Sequence, residues 1–442
     1  MSPTALQALC DELFELLRIP SVSADPAHAD DVLAAAQWTI DFIRRAGGTA
    51  ELLPARGNLV VGELAASTGA AEAPTVLIYG HVDVVPAGPQ TMWETPPFEP
   101  VIRDGWIYAR GAADDKGNLY VLLKAAALLA ATGELPVNVR MLVDVEEESG
   151  GTSVCDFIAE DSRGADACIV FDTTMLEPDR PIVCLGSRGQ VCFEITARTG
   201  RRELHSGHFG GVAANAVHVL MHALAAVVAV PPALRAGAYT PTPAELAEAR
   251  RLASAVDLLG SEGATPLPGV TAEDVVERSS FITTVDVTGF AGGEPNHPKP
   301  ALPPSAQAFV SARVAPGQRA AEVEQAFRET IAAATPEGAE ITIRTRYRVE
   351  PSTIDPSARA IEIACEVLGE SFATTPVLRR SGASLPILAA LGARGIPTVL
   401  SGLDVPEGNI HGANERLRLE YLEQGVEIAR RLLVAMRELR SA

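Results

Sequence analysis

Acids or imidazoles border five apolar segments of this chain, and that placement constrains the fold more than any other feature of the sequence. Residues 75–79 (TVLIY) run into Gly-His81-Val-Asp83, residues 137–145 into Glu146-Glu147-Glu148, and residues 168–171 (CIVF) into Asp172. Residues 397–400 (PTVL) precede a loop that holds His411, and the pair Asp114-Asp115 opens an apolar helical pattern at 118–131. Short, β-branched apolar runs alternating with helical patterns predict an α/β domain whose doubly wound, mostly parallel sheet is covered on both faces. Such sheets bind ligands beyond the carboxyl ends of their strands, where these acids and imidazoles fall. Several carboxylates gathered there are costly unless cations neutralise them.

Residues 189–350 follow another pattern. Strand signals at 190–197, 281–287, 306–314 and 340–349 are interleaved with helical signals at 215–230 and 320–334. That order predicts a small α+β domain with an antiparallel sheet and two helices, inserted into the first. The first domain is then discontinuous, 1–188 and 351–442, with a loop at 292–304 and a return linker at 352–356.

With 36 Lys and Arg against 56 Asp and Glu in 442 residues, the net charge is −20. A surface this acidic repels phosphate backbones and anionic lipid, so a small ligand or a cation is the expected partner, with neither nucleic acid nor membrane. No apolar run reaches the roughly 20 residues of a membrane span. The nearest, at 217–231, contains His218 and His222 and ends in a proline pair. The first residues lack the pattern of a signal peptide. The six cysteines form no CxxC pair and are expected as buried thiols, so the expected compartment is the reducing cytoplasm.

Each segment has a plainer reading when taken alone. His81 and Asp83 fall on one side of a strand end, where the imidazole can ligate a metal and the carboxylate support it; they also suit a hydrated loop. Asp114 and Asp115 suit a cation, or a helix-capping turn with Lys116 in solvent. The run 146–148 suits metal, or a hydrated charge cluster. All five plain readings holding at once is the less economical account. Mixed imidazole and carboxylate ligands fit Zn²⁺, with Mn²⁺ and Co²⁺ as the other candidates.

The ordered set GHVDVVP, GAADDKG, EEESGG, VFD and IHGANE resembles the co-catalytic metallopeptidase family of carboxypeptidase G, carnosine dipeptidases, aminoacylase and succinyl-diaminopimelate desuccinylase. The resemblance runs from about residue 6 to the C-terminus. It implies a doubly wound catalytic domain with an inserted ferredoxin-like lid that dimerises, and two divalent ions per chain. Carried over by position, it implies Asp114 as the carboxylate bridging two metals, His81 and Asp172 on one, and Glu148 and His411 on the other. It also implies Glu147 as the general base, Asp83 as the partner behind the site, and a cis bond between Asp114 and Asp115. Three adjacent acids offer two pairings; the family spacing before Gly150 fits Glu147 and Glu148, and the pair Glu146 and Glu147 would slide the roles by one.

In the lid, the resemblance implies His205 as an oxyanion donor reaching in from the partner subunit, and Arg313 as the clasp on a substrate carboxylate. The run Arg380-Ser-Gly382-Ala-Ser384 resembles the family loop REGGSIP, which implies Arg380, Gly382 and Ser384 as substrate-binding residues of the carboxylate pocket, but departs from it at Ser381 and Ala383. Pro300 stands where relatives often carry threonine, removing a hydroxyl and an N–H. The activity implied is hydrolysis of a peptide or related amide bond beside a free carboxylate, by a dipeptidase or carboxypeptidase-like exopeptidase. The alternatives are an N-acyl-amino-acid amidohydrolase and an inactive binding relative.

Overall fold

The computed structural model describes residues 3–54, 57–255, 264–294, 296–297 and 299–440. Contacts divide the chain into two units: residues up to Leu185 with Ile354–Leu378 and the chain from Ala390, and Gly186–Thr353 with Arg379–Ala389.

The first unit is built on β1 (Thr49–Leu53), β2 (Leu59–Leu64), β3 (Thr75–His81), β4 (Val101–Arg103), β5 (Trp106–Tyr108), β6 (Asn138–Asp144), β7 (Ala167–Phe171) and β8 (Ile182–Ser187). The second carries β9 (Gly189–Arg198), β10 (Leu204–His205), β11 (Thr284–Gly292), β12 (Ala301–Leu302), β13 (Ser305–Val314) and β14 (Glu340–Val349). Then follow β15 (Val377–Ser381), β16 (Thr398–Ser401) and β17 (Arg416–Arg418).

The large sheet has the order β1-β2-β6-β3-β7-β16-β8-β15. Its centre, β6-β3-β7-β16, is parallel, while β1, β2 and β8 pair antiparallel. β7 is buried along its whole length, and β3 and β6 at all but their first residues, which is why β3 and β7 read as continuous apolar runs rather than alternating ones, while β6 is interrupted by Arg140. Helix Lys116–Ala131 buries Leu119, Tyr120, Leu122 and Leu123 in a core that also takes Leu13, Leu17, Ile43, Ile169 and Leu422.

In the second unit β11-β13-β9-β14 form an antiparallel sheet. Helix Ala216–Val228 lies between β9 and β11 in sequence, and helix Ala320–Ala334 between β13 and β14. This is the ferredoxin-like order. Phe193 and Phe327 stack at 4.1 Å between sheet and helix, among Val191, Ile195, Leu220, Val310 and Val323.

Four expectations change. The strand expected at 281–287 begins at Thr284, because helix Ala272–Phe281, started by a Thr271/Asp274 capping box, occupies the preceding residues. Asn215 is an N-cap, accepting from Val217 N–H at 2.9 Å, rather than a helical residue. Segment Arg379–Ala389, expected with the first domain, belongs to the second unit, where Arg188 Nε donates to Gly382 O at 3.0 Å and Ser280 Oγ to Arg380 O at 3.1 Å. Cys10, Cys168 and Cys184 are buried, but Cys155, Cys192 and Cys365 are only half-buried, and none of the six is in a disulfide. No described helix is long and apolar enough to cross a membrane.

Candidate metal centre

His81 ends β3 opposite Asp144 of β6. Its Nδ1 lies 3.0 Å from the Asp83 carbonyl, which can only accept, so Nδ1 donates there and Nε2 is the nitrogen that a metal ion would take on displacing its proton. Nε2 lies 3.1 Å from Asp114 Oδ1. The Asp83 carboxylate is fully buried and accepts from Ser23 Oγ at 2.6 Å, Glu147 N–H at 3.3 Å and Glu148 N–H at 3.0 Å. One buried acid therefore supports the imidazole and fixes the turn that carries the next two acids.

Glu146 turns away from this cluster and bonds the backbone N–H and hydroxyl of Ser153. Glu147 and Glu148 are left facing His81. Asp144, whose Oδ1 accepts from Val145 N–H at 2.8 Å and Glu146 N–H at 3.0 Å, shapes the start of the turn.

The peptide bond between Asp114 and Asp115 is cis. Asp115 stands at the N-cap of helix Lys116–Ala131 without making a side-chain cap bond; its Oδ2 instead accepts from His81 N–H at 3.1 Å. A Cβ at position 80 would lie 2.6 Å from Asp115 Oδ2, so Gly80 leaves room for that bond. Lys116 is not in solvent: it is fully buried and donates to Leu16 O at 3.2 Å and Ile19 O at 2.7 Å. The plain capping-turn reading of this segment therefore fails on both of its residues.

Asp114 faces two imidazoles with its two oxygens. Oδ1 lies 3.1 Å from His81 Nε2, and Oδ2 lies 3.0 Å from His411 Nε2, which is also 3.0 Å from Glu148 Oε1. The donor atoms of His81, Asp114 and Asp172 lie within 4.8 Å of one another, as do those of Asp114, Glu148 and His411, and those of His81, Glu147 and Glu148. Asp114 belongs to two of these groups, and Glu147 to neither of those two. Nitrogen and carboxylate oxygen in this proportion suit two first-row divalent ions bridged by one carboxylate.

The electrostatics describe a site short of positive charge. Burial pushes Glu147 up to about 8, helped by Asp172 and Glu148, and pushes Asp172 up to about 7, helped by Asp114 and Glu148. Hydrogen bonds to Asp114 and Glu148 raise His411 to about 10. For His81, burial works against the charged ring, but hydrogen bonds to Asp114 and Asp83 overcome it and raise the ring well above its ordinary value. Burial opposes ionised Asp114 as well, and the bonds from His411 and His81 hold it low. Protons on the imidazoles thus supply charge that metal ions would otherwise bring.

Two residues of the motifs had no role assigned from sequence. Glu415, fully buried, accepts from Arg110 Nη1 at 2.6 Å and from the N–H groups of Gly111 at 2.9 Å, Ala113 at 2.9 Å and Asp114 at 3.1 Å. Arg110 Nη2 donates to His411 O at 3.2 Å. This ion pair clamps the Asp114 turn to the His411 loop. Arg110 directly precedes GAADDKG and Glu415 ends IHGANE, but nothing in either motif names the other as its partner.

Within the second unit, His205 lies on the β10–β12 ribbon opposite Ala301, and its Nδ1 accepts from Gly207 N–H at 3.1 Å. In the neutral ring the proton is then on Nε2, which makes that atom a donor. Pro300 keeps a backbone role, accepting from Ser206 N–H at 2.9 Å. Arg313 on β13 donates from Nη1 to Ser384 Oγ at 2.8 Å. Arg380 is largely buried, with Nε 3.2 Å from Glu245 Oε1 and its guanidinium 4.7 Å from the Tyr239 ring centroid. The Gly382 carbonyl is held by Arg188.

A doubly wound sheet with paired imidazole and carboxylate donors around a shared aspartate defines a candidate dinuclear metallohydrolase. Residues 77–435 match the sequence model of peptidase family M20/M25/M40, and the chain belongs to that family. It is a metal-dependent peptidase that hydrolyses C–N bonds. The chain is 26% identical over 429 residues to the cysteinylglycine-S-conjugate dipeptidase of Corynebacterium striatum, covering 92% of this chain and 91% of that protein. It is 33% identical over 228 residues to the succinyl-diaminopimelate desuccinylase of Bordetella parapertussis, covering 50% of this chain and 57% of that protein. An M20-family metallo-carboxypeptidase from Sulfolobus solfataricus shares the fold with a TM-score of 0.85 at 23% identity, over 99% of this chain and 100% of that one.

Because the imidazoles and Asp172 hold protons that ligation displaces, metal binding to the metal-free protein will release protons and tighten as pH rises. Titrating Zn²⁺ into weakly buffered protein at pH 7 should liberate about one proton or more per ion; binding without acidification would contradict the site. Losing one partner of a buried ion pair costs about 3–5 kcal/mol. Glu415→Gln should therefore lower the thermal midpoint and speed metal loss to a chelator, whereas wild-type retention at wild-type stability would remove the clamp.

Proposed function

We propose that this chain is an exopeptidase, a dipeptidase or carboxypeptidase-like enzyme that cleaves an amide bond beside a free carboxylate. The observation that carries the reading is the geometry of Asp114, whose two oxygens face the separate imidazoles of His81 and His411 while Glu147 stands outside both groups. Asp114 would bridge two divalent ions, with His81 and Asp172 completing one and Glu148 and His411 the other. Zn²⁺ suits this donor set, with Mn²⁺ and Co²⁺ next. When bound, the ions supply Lewis acidity that lowers the pKa of water and polarises the scissile carbonyl.

The protein's own groups do the rest. Glu147, not required as a ligand by either Asp114 group, accepts the proton of the attacking water and returns it to the leaving amine. Asp83 keeps His81 in the tautomer that offers Nε2 and holds the Glu147 backbone. His205 of the partner subunit, with its proton on Nε2, would donate to the developing oxyanion. Arg313 with Ser384 clasps the substrate carboxylate, a task suited to a planar guanidinium. The similarity to a dipeptidase across 92% of the chain supports the dipeptidase branch, and the shorter match to a desuccinylase keeps deacylation as the second reading.

The outer face of helix Ala216–Val228 presents His218, Met221, His222, Ala225 and Val228 without a charged residue, which supports a homodimer formed through this unit. Six cysteines with no disulfide among them support a reducing compartment, the cytoplasm.

Glu147→Gln should retain two metal equivalents and lower kcat by about three orders of magnitude or more, within the range of lost acid–base catalysis; near-normal turnover would reassign the base. Wild-type enzyme should cleave X-Gly dipeptides in preference to their N-acetyl forms, and the reverse preference would select deacylation. Light scattering should report a dimer of this 46.4 kDa chain, and a monomer at working concentration would contradict assembly through the helix.

A further inference from the structure

The second unit departs from a bare ferredoxin-like fold by a helical excursion between helix Ala216–Val228 and β11. Its two long helices, Pro243–Ala255 and Ala272–Phe281, share a small core of Ala249, Val276 and Phe281, with Tyr239 against it. This core is separate from the one beneath the sheet, so packing of the sheet does not account for the excursion.

The excursion grips one loop. Glu245 sends Oε1 to Arg380 Nε at 3.2 Å, while Oε2 accepts from Tyr239 OH at 2.7 Å, Thr242 N–H at 2.9 Å and Thr242 Oγ1 at 3.0 Å. The Arg380 guanidinium also lies over the Tyr239 ring, and Ser280 Oγ donates to the Arg380 carbonyl at 3.1 Å. At Gly382 the backbone is pressed so close that a Cβ would lie 2.7 Å from Ser279 O. Arg188 joins the same parts: Nε donates to Gly382 O at 3.0 Å, and Nη1 to Ile282 O at 3.3 Å and Thr284 Oγ1 at 3.4 Å. Thr284 is the cross-strand partner of Arg313, and Arg313 in turn donates to Ser384 Oγ.

We infer that Arg380 is a positioning residue rather than a substrate contact: held by Glu245 against Tyr239, it lets the helical excursion fix the 380–384 loop so that Ser384 meets Arg313. The excursion then sets how well a substrate carboxylate is held. An arginine that clasps a substrate must present its donors to the ligand; here the side chain is 8% exposed, with an acid on its Nε and a ring beside its plane. Arg313 is only half-buried, and it carries the clasp. Arg188, which burial and the neighbouring Arg313 charge draw down to about 10, adds positive potential behind it. The inference deepens the exopeptidase reading and rests on it for its substrate.

Kinetics and hydrogen exchange on the full-length, metal-loaded enzyme test it. Glu245→Gln keeps the shape of the side chain and removes its charge. It should raise KM for X-Gly dipeptides roughly tenfold, the equivalent of one charge-assisted hydrogen bond, with kcat and metal content unchanged and little effect on the corresponding C-terminal amides. Arg380→Lys should give the same shift, and the double variant no more than either single one. Unaltered KM in Glu245→Gln beside a raised KM in Arg380→Lys would overturn the inference, because Arg380 would then be touching substrate itself. Hydrogen exchange provides a readout independent of turnover: residues 379–389 should lose protection in Glu245→Gln while β3, β6 and β7 keep theirs. Unchanged protection of that loop overturns the inference even if the wild type cleaves none of these substrates, a failure that would sink the exopeptidase reading alone.

Discussion

Mutual repulsion among buried carboxylates is the constraint on which the first unit depends. Asp83, Asp115 and Asp144 are almost wholly out of solvent, and Asp114, Glu147, Glu148 and Asp172 are largely so. The protein compensates them in two ways. Asp83, Asp144 and Glu415 take backbone N–H groups and so become parts of the scaffold. Asp114 and Glu148 face imidazoles, which leaves their charge available to a cation. Burial pushes Glu147 and Asp172 upward in pKa, and this residual demand for positive charge is what two divalent ions would satisfy.

Topology explains why these groups meet. The four central strands β6, β3, β7 and β16 are parallel neighbours, so the loops leaving their carboxyl ends emerge on one edge of the sheet. Those loops carry Glu147 with Glu148, Asp83, Asp172 and His411. Asp114 comes from a different element, the entry to helix Lys116–Ala131, and needs the Arg110–Glu415 pair to hold it in register with the His411 loop. Repulsion within the donor set is thereby offset by hydrogen bonding around it as well as by the two imidazoles inside it.

Much of this was readable in the sequence, for identifiable reasons. Strands buried on both faces write continuous apolar runs, so residues 75–79 and 168–171 announced β3 and β7, and the acids beyond them announced the site edge. Helix Ala320–Ala334 and strand Glu340–Val349 were equally plain, because amphipathic period and alternation are local properties. The Arg110–Glu415 pair was not readable, since its members lie 305 positions apart and nothing local marks either as a partner. Nor was the place of Arg379–Ala389: that loop is tied to the second unit by side-chain to backbone bonds, which leave no periodic trace. Lys116 looked like a solvent residue because lysine usually is one, and only the carbonyls of Leu16 and Ile19 make its burial tolerable.

In the proposed centre Asp114 would join two metal ions. Electron paramagnetic resonance of protein loaded with two equivalents of Mn²⁺ tests it most directly, since ions about 3.5–4 Å apart couple magnetically. The account predicts the spectrum of an exchange-coupled pair that collapses to isolated ions in Asp114→Asn. Two uncoupled Mn²⁺ signals in the wild-type protein, or a single bound ion at saturation, would contradict it.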